Sequence, residues 1–484
     1  PRSYKEFYNY KQSIASSDNF FKNSGRYPLT GKGKLNTYAL FAELNISILN
    51  SNGITGMILP LGIATDDTTK QYFEYINTSN RLRSLYGFEN EEFIFASVHH
   101  AFKFVLLTVS GSSIDKSEYA FFCRTVNQIS DDRKRYELTP NDISQLNPNT
   151  RNAPIFRTKF DAQLTKKLYE VGSVIVNESD SSNPWNCTIR RMLNPTDDAD
   201  LLVSAPTFEE KYVMVYEAKM IHQYDHRFGT YDGQTQAQAN QGKLPEVSDQ
   251  QHSDSDFTIT PRHWMEREIA EKFLSRQSKR DWLISYRDIT SSVVYRTVIA
   301  CFTPRMPTVD PCRNIFLDES ISCKQACAFV ACLNSLVFDY IARQKVSGNH
   351  LAIYVFKQLP VIPPQSFSER NLEFISKRAL ELTYTSIDMK PFAKDLNYHD
   401  EPFTFDSNRR HQLKCELDAY FAKLYGLTHD ELRYILDPAE IMEDGYPSET
   451  FRVLKNKEKK EFGEYRTQRL VLEAWDKLER GELE

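Results

Sequence analysis

An aromatic loop carries the first residues whose types suggest chemistry. Residues 93–104 read Phe-Ile-Phe-Ala-Ser-Val-His-His-Ala-Phe-Lys-Phe and lie between two segments with strand-like patterns. Enzymes that modify a nucleobase extrude it and hold it between aromatic faces, and Phe95 lies in a loop suited to this. The pattern alone favours a core aromatic in a hairpin. His99 and His100 have no carboxylate at helical spacing, so we expect them at the surface or on backbone groups, and no metal site.

A Glu-x-Lys pattern follows an apolar strand at Glu217 and Lys219, with Asp200 upstream. Metal-dependent nucleases need carboxylates that hold Mg²⁺ and a lysine near the attacked phosphate. Because Glu-x-Lys is short and common, a Mg²⁺-dependent nuclease is a minor hypothesis.

Two further segments have a binding and a purely structural interpretation. Gly31-Lys32-Gly33 precedes a helical pattern, where backbone N–H groups can hold a phosphate, although an ordinary surface turn explains it better. Residues 339–350 and 356–360 combine basic and aromatic side chains with a glycine turn. That combination suits contact with a nucleic-acid backbone, and equally suits a solvated helix end with a glycine stop.

The elements that must position the aromatic loop alternate along residues 1–125. Helical spacing over residues 35–50 is followed by a strand at 56–60, a helix from 65 to 80, and strands at 83–88 and 102–109. The continuous apolar run at 56–60 suits a strand inside a parallel sheet. We therefore predict an α/β fold, the later half of a doubly wound sheet, with the last two strands antiparallel.

Beyond residue 125 the predicted organisation changes. Residues 126–160 are polar and are interpreted as a linker, and residues 161–364 as an α+β domain. That domain holds short strands at 212–216 and 293–302, a polar loop at 229–257 and a helical run at 323–343. Residues 365–484 are predicted to be a helical C-terminal region.

Composition excludes several classes of protein. The net charge is −5, so a DNA-binding function would need a local basic cleft rather than a basic surface overall. The eight Cys residues lack zinc-ligand spacing and are expected to be buried free thiols, which favours a reducing cytoplasm. No apolar run of 18 residues predicts a membrane span. The chain begins at Pro1 without an initiator Met and is expected to be a piece of a longer protein.

Residues 25–111 resemble the second half of the catalytic domain of gamma-type DNA adenine methyltransferases. The resemblance is to the large methylases of type IIG restriction–modification enzymes and related phage-defence systems. It is carried by the segments LNTYALFAE, GMILP, GIATDDTTKQYF, LYGFEN and FASV. It implies a Rossmann-like methyltransferase sheet, S-adenosylmethionine as cofactor, and Phe95 as the aromatic that stacks on the flipped adenine.

The sequence also departs from that family. The Asn-Pro-Pro-Tyr catalytic tetrapeptide and the glycine-rich S-adenosylmethionine loop are absent, and only Asn183-Pro184-Trp185 comes near the tetrapeptide. Both missing parts are expected upstream of Pro1. We therefore expect no cofactor-binding residue in this chain and no methylation by the chain alone.

The later segments resemble the target-recognition region of the same methylases. These segments are YEAKMIHQYDHRF, WLISYRDIT, the glycine turn with KQLP, and the helical tail from HQLKCELDAYF to FGEYRTQRLVLEAW. The resemblance implies double-stranded DNA as the partner, and Gln and Arg suit adenine and guanine in the major groove. The predicted DNA-binding residues are Lys219, His222, Gln223, His226, Arg227, Arg287, Arg343, Gln344, Lys345, His350 and Lys357.

Three hypotheses follow from these observations. The main hypothesis is a site-specific DNA adenine-N6 methyltransferase of a restriction–modification or phage-defence system. Its further expected partners are a nuclease or other subunits of the defence system. The alternative is a non-catalytic DNA specificity subunit that positions a separate enzyme. The minor alternative is the Mg²⁺-dependent nuclease.

Overall fold

The computed structural model describes residues 2–204, 206, 209–346, 348–442, 446 and 450–483. The chain divides into two compact units, Pro1–Tyr169 and Glu170–Glu484. The mixed helix and strand content confirms the predicted α/β class at this coarse level.

The first unit alternates helices and strands. In chain order its elements are α1 (Arg2–Asn23), α2 (Thr37–Ser47), β1 (Ile54–Pro60), α3 (Gly62–Thr65), α4 (Lys70–Thr78), β2 (Leu82–Glu89), β3 (Lys103–Ser110), β4 (Ser117–Cys123), β5 (Tyr136–Leu138), α5 (Pro140–Leu146) and α6 (Lys159–Val171). The strands predicted at 56–60, 83–88 and 102–109 therefore form within a few residues of their expected bounds.

One mixed sheet organises this unit, with strand order β1-β3-β2-β4-β5. Strand β3 is antiparallel to both β1 and β2, so β1 and β2 run in the same direction with β3 between them. The antiparallel pairing of the last two predicted strands is confirmed. Strand β4 is parallel to β2, and β5 is antiparallel to β4.

Residues 126–160 are not a linker in the structure. They contain β5, which extends the sheet, and α5, whose first turn is capped by Thr139. The polar side chains that suggested a linker serve caps and local ion pairs, such as Asp142 with Thr139 and Arg133 with Asp131. Asn152 donates to the carbonyl oxygen of Thr65 (2.8 Å), which joins this segment to α3.

The second unit contains short strands and many helices. Its elements are β6 (Ser173–Val174), β7 (Cys187–Arg191), β8 (Tyr212–Val215), α7 (Gln236–Asn240), α8 (Asp249–Ser253), β9 (His263–Glu266), α9 (Arg267–Ser275), β10 (Trp282–Arg287), β11 (Ala300–Pro304), β12 (Cys312–Leu317), α10 (Cys323–Asn334), α11 (Leu336–Lys345), α12 (Ile353–Phe356), β13 (Pro360–Val361), α13 (Glu369–Thr383), α14 (Lys390–Asp395), α15 (Ser407–Leu424), α16 (His429–Leu436), α17 (Arg452–Phe462) and α18 (Arg466–Arg480).

An antiparallel sheet of order β11-β10-β12-β7 forms the strand layer of this unit. Helix α10 is buried from Ala326 to Asn334 and packs against α13, and α15 packs against α18. The helical character predicted after residue 365 is confirmed. The predicted boundary at 364 and 365 is not a division between units, because both sides lie in Glu170–Glu484.

The strand predicted at 293–302 is shorter than expected and begins at Ala300. The preceding residues bond to side chains instead of a neighbouring strand. The backbone N–H of Thr297 donates to the Asp339 carboxylate (3.1 Å), and Arg296 donates to Asp418 (3.3 Å). These buried carboxylates belong to α11 and α15, so the sequence around residue 296 does not reveal them.

Within the described residues, no single helix is long and apolar enough to cross a membrane. Helices α10 and α11 pass that test only as a pair, with a bend of 55° between them.

Candidate nucleic-acid interface

The predicted stacking residue lies in the connection between β2 and β3, residues 90–102, here called the aromatic loop. Asn90 organises this loop from a fully buried position. Its side-chain amide donates to the carbonyl oxygens of Phe95 (3.1 Å) and Val98 (2.8 Å), and its Oδ1 accepts from the Phe95 N–H (2.9 Å). A buried amide with these partners holds the loop backbone in one conformation.

The Phe95 ring packs on another aromatic ring and is partly exposed to solvent. It packs edge-to-face on Phe104, with ring centroids 4.9 Å apart, and Phe104 stacks on Phe88 at 5.2 Å. Phe95 nevertheless stays 38% exposed. The prediction of a wholly buried hairpin aromatic therefore does not hold, and the ring offers a fixed apolar surface to solvent.

The aromatic loop carries other exposed apolar side chains besides Phe95. They are Phe93, Ile94, Val98 and Phe102. The two histidines behave as the sequence predicts, since His100 lies 3.2 Å from Glu91 at the surface and His99 accepts from the backbone N–H of Ala101. A cluster of this kind on a rigid loop suits a flat apolar ligand.

The Gly31 turn is structural. Its N–H already donates to the carbonyl oxygen of Tyr27 (2.8 Å). A Cβ at Gly31 would lie 2.5 Å from the Phe21 carbonyl oxygen and 2.6 Å from that of Tyr27, so only glycine fits. Lys32 donates to Gln71 (2.7 Å). The Gly31 N–H is therefore not available to a phosphate.

Part of the predicted recognition segment is interior, which corrects the prediction for Gln223, His226 and Arg227. Gln223 donates to the carbonyl oxygens of Val298 and Asn334, each at 3.2 Å. His226 lies 2.9 Å from the Asp388 carboxylate. These side chains are buried and occupied, so they do not reach DNA in this conformation.

Arg227 is the most enclosed member of that segment, with 1% of its surface exposed. Its guanidinium donates to backbone carbonyl oxygens, namely those of His252, Asp254, Phe257 and Thr385 at 2.9–3.2 Å. It links the loop around α8 to the turn after α13. Burial lowers the pKa of Arg227, while Asp388 and Asp225 favour its charged form.

His222 and Arg287 come together at a half-buried position. Arg287 donates to the carbonyl oxygen of Ile221 (2.7 Å), and its guanidinium lies 5.3 Å from the Phe228 ring. The ring of His222 lies 4.7 Å from that of Phe228. Burial lowers the pKa of Arg287 to about 10. This value is still well above neutral pH, so the guanidinium stays charged. Burial, followed by the charge of Arg287, holds the pKa of His222 well below its usual value.

Helix α11 divides its predicted residues between interior and surface. Arg343 is buried; it donates to Asp339 (3.1 Å) and to the carbonyl oxygens of Ser292, Val294, Tyr295 and Thr450, which corrects its predicted contact with DNA. Gln344 and Lys345 are half-buried. Burial lowers the pKa of Lys345 to about 7. Ser347 of the predicted turn lies outside the described residues.

His350 and Lys357 remain accessible. The His350 side chain is 61% exposed, and its Nδ1 lies 2.8 Å from Asp288. Asp288 is itself buried and accepts from Arg313 (2.8 Å), so it anchors His350. Lys357 donates to Glu178 (2.6 Å). The sequence gives no signal for Asp288 or Asn90, because their partners are distant or are backbone atoms.

The Glu217–Lys219 pattern forms a local contact network. Lys219 lies 3.5 Å from the Glu217 carboxylate and 4.9 Å from the Tyr231 ring, and Tyr231 donates to Glu217 (2.8 Å). Among the described residues, no group of three or more His, Cys, Asp or Glu side chains is arranged to hold a metal ion. The nuclease hypothesis therefore gains no ligand set from this region.

The cysteines are as predicted. All eight belong to the described residues and are free, and all except the partly exposed Cys323 are buried. Burial raises the pKa of Cys332 to about 11, so that thiol is unreactive near neutral pH.

Comparison with known proteins identifies the segment that carries the aromatic residue. Residues 8–95 match the family model described as Eco57I restriction-modification methylase. The resemblance predicted from the sequence is thereby confirmed for these residues. No curated protein sequence matches the chain.

Three solved structures that resemble the chain are of restriction–modification enzymes. The type IIG restriction endonuclease BpuSI is 14% identical over 88% of this chain and 52% of its own, with a TM-score of 0.28. The type IIL enzyme MmeI, in complex with DNA, is 12% identical over 85% and 52%, with a TM-score of 0.42. A nuclease-deletion mutant of the type ISP enzyme LlaGI, in complex with a DNA substrate mimic, is 12% identical over 76% and 32%, with a TM-score of 0.34.

The chain spans about half the length of the first two of these proteins and a third of the last.

Proposed function

We propose that the chain is part of an S-adenosylmethionine-dependent DNA adenine-N6 methyltransferase of a restriction–modification or phage-defence system, acting in the cytoplasm. It supplies the aromatic loop that holds the extruded base and the surface that recognises duplex DNA. The observation that carries this proposal is Phe95, a half-exposed ring on a rigid loop at the end of the methylase segment.

The proposed role of Phe95 follows from its geometry. An extruded adenine loses its stacking partners, and a fixed aromatic face replaces one of them. Phe104 supports the ring and Asn90 fixes the loop, so little conformational entropy is lost when the base arrives.

The turn at Gly31 does not fit the glycine-rich loop of an S-adenosylmethionine site. The cofactor supplies the methyl group when bound, and its binding in this class needs a glycine-rich loop with free backbone N–H groups. The Gly31 N–H already donates to the Tyr27 carbonyl oxygen. Even a Cβ at Gly31 would clash with backbone oxygen atoms, so a ligand has no room there. The proposal therefore assigns the cofactor site and the catalytic tetrapeptide to another segment of the complete enzyme.

The edge of the sheet at β1 supports that assignment. Strand β1 pairs with β3 on one side only, and Ile54 and Ile58 are exposed on this apolar strand. Apolar side chains on both faces are typical of a strand inside a larger sheet. We propose that the cofactor-binding half extends the sheet from β1.

The second unit is proposed to recognise DNA through its accessible side chains. These side chains lie at least partly at the surface and carry hydrogen-bonding groups that can meet phosphates or base edges. They are Lys219, His222, Arg287, Gln344, Lys345, His350 and Lys357.

Replacing Phe95 in the complete enzyme tests the proposal. Because stacking on an aromatic contributes about 1–3 kcal/mol per base, we expect Phe95→Ala to lower kcat/KM for DNA methylation about 10- to 100-fold. Phe95→Tyr should retain most activity. The measurement is transfer of labelled methyl groups from S-adenosylmethionine to mixed-sequence duplex DNA.

Phe93→Ala is the matched control, since Phe93 is an exposed aromatic of the same loop whose ring lies beside His100. Equal turnover in Phe95→Ala and the unmodified enzyme would remove Phe95 from base stacking. Duplex binding without any methyl transfer by the complete protein would favour the non-catalytic specificity subunit.

A further inference from the structure

Phe122 has an unusual backbone conformation at the end of β4. Its φ is +56°, in the left-handed region that bulky residues rarely occupy. The strand register shifts here, because Tyr86 pairs with Ala120 whereas Phe88 pairs with Cys123. The extra residue forms a β-bulge, and bulges of this kind redirect side chains and often lie beside functional sites.

Gly87 makes the bulge sterically feasible. A Cβ at Gly87 would lie 2.2 Å from the Phe121 ring. Phe121 is therefore buried against the β2 backbone, and the ring of the next residue, Phe122, is left only half-buried. The strained backbone conformation of Phe122 leaves its ring partly exposed at the end of β4.

Cations surround the Phe122 ring. The guanidinium of Arg157 lies 4.1 Å from the ring centroid and the ammonium of Lys103 lies 5.5 Å from it, both within cation–π range. Arg124 donates to Glu89 (3.2 Å), which also pairs with Lys103 (3.5 Å).

The positive charge of this cluster is only partly neutralised. Glu89 is shared by Lys103 and Arg124, and Arg157 forms no ion pair with a carboxylate of the described residues. The Lys103 and Arg124 side chains, which share Glu89, are each about half exposed. Burial, together with the charge of Arg157, lowers the pKa of the adjacent Lys134.

The cluster lies at the same edge of the sheet as the aromatic loop. Glu89 ends β2, Lys103 begins β3, and Arg124 follows β4 directly. Lys103 and Phe104 are neighbours on a strand and point to opposite faces of the sheet. The cations therefore lie on one face of the sheet and the Phe95 ring on the other, at the same edge.

We propose that Lys103, Arg124 and Arg157, arranged around Phe122, bind the phosphate backbone of duplex DNA next to the aromatic loop. The inference rests on the proposed function and adds a backbone-binding site in the first unit. Exposed cations on an aromatic support fix the position of a duplex without reading its sequence. The bound strand is thereby held where a base can be extruded toward Phe95.

The salt dependence of duplex binding tests this site. In the full chain we compare the unmodified protein with the variant Lys103→Gln, Arg124→Gln, Arg157→Gln by fluorescence anisotropy between about 50 and 200 mM salt. Each lost phosphate contact reduces the slope of log K against log salt by about 0.9. We expect a reduction of about 2–3 and binding at least tenfold weaker near 100 mM salt.

A control with equal charge loss is Lys11→Gln, Lys22→Gln, Lys116→Gln, which removes exposed cations of the same unit away from Phe122. Its slope should change by less than half as much. Arg157→Gln alone should reduce the slope by about 1, and Arg157→Lys should restore it; this pair tests the site even if the triple variant unfolds.

The outcomes separate the inference from the function on which it rests. An unmodified chain that binds no duplex at about 50 mM salt overturns both. Duplex binding with an unchanged slope in the folded triple variant, or an equal loss in the control, overturns the backbone site alone and leaves the proposed function standing.

Discussion

Arg227 joins segments that are far apart in the sequence. Its guanidinium donates to carbonyl oxygens on both sides of the turn that follows α8 and to Thr385 after α13. Hydrogen bonds from a charged group to buried carbonyls are stronger than neutral ones, and their loss leaves unsatisfied acceptors. The residue therefore stabilises the second unit.

Arg227→Met tests whether that role is structural. The change retains much of the side-chain volume but leaves buried carbonyl oxygens without donors, so we expect the free energy of unfolding to fall by about 3–5 kcal/mol. Urea denaturation measures this. The salt slope of DNA binding should not change in the folded protein. Unchanged stability with a slope reduced by about 1 would show instead that Arg227 contacts DNA.

Paired carboxylates near Arg227 are expected to make the second unit less stable in acid. Burial acts to raise the pKa of Asp388, but the charge and hydrogen bond of His226 outweigh it and lower the pKa from 3.8 to about 2. The pKa of Asp225 is also lowered, because the hydrogen bond and charge of His252 outweigh the effect of burial. A pKa that is lower in the folded state stabilises the fold above the unfolded value, and the stabilisation is lost as the pH falls below it.

Asp388→Asn measures that contribution. We expect the unmodified protein to exceed the variant in unfolding free energy by about 2 kcal/mol at pH 6. The difference should shrink as the pH falls from about 4 toward 2. Denaturation curves over this range, compared with the exposed carboxylate variant Asp132→Asn, provide the measurement. A difference that is independent of pH would contradict the assignment.

Residue-scale roles were the hardest to predict from the sequence. The loop position of Phe95 between two strands follows from a local pattern, and its stacking role stays a prediction that the family resemblance implies. Gln223, His226 and Arg227 look like DNA-binding residues because their polarity is local, while the carbonyl and carboxylate partners that bury them come from residues 252–257, 298, 334 and 385–388. Asn90 was missed because its partners are backbone atoms.

At the scale of elements, strand β1 has an open edge. Edge strands with exposed apolar side chains promote association between chains, and a lysine on the edge prevents it. Ile58 is 58% exposed, whereas the next residue, Leu59, is 8% exposed. The same strand therefore offers a surface position and a core position side by side.

Ile58→Lys should reduce self-association of the chain and change its unfolding free energy by no more than about 0.5 kcal/mol. Leu59→Lys, the matched control, buries a charge and should unfold the first unit. Light scattering during thermal denaturation records both effects. If Ile58→Lys associates as strongly as the unmodified chain, the β1 edge is not the surface responsible.

Elements with strong local patterns were predicted well, and those defined by side-chain contacts were not. The strands at 83–88 and 102–109 were recognised from their apolar and β-branched residues. Residues 126–160 were misinterpreted because capping residues such as Thr139 and Asp142 also occur in linkers. The helical run at 323–343 is interrupted at Ser335, whose side chain caps α11, a break that the apolar pattern conceals.

On the scale of the whole molecule, the predicted division at residue 364 followed a change in composition. The structure instead unites residues 170–484 through long-range contacts. Trp282 of β10 donates to Asp395 of α14 (2.8 Å), and Arg410 of α15 donates to the Tyr224 carbonyl oxygen (3.3 Å). A boundary between compact units depends on such contacts, and composition does not encode them.

The insertion of β3 between β1 and β2 has a consequence for the order of folding. Strand β1 has β3 as its ladder partner, and β3 begins 43 residues after β1 ends, at Lys103 after Pro60. During synthesis β1 leaves the ribosome long before that partner, while β2 and β3 can pair across the aromatic loop. The connection that carries Phe95 must therefore be synthesised before β1 can meet its ladder partner β3, so the length of that connection affects how long the nascent chain exposes the apolar strand.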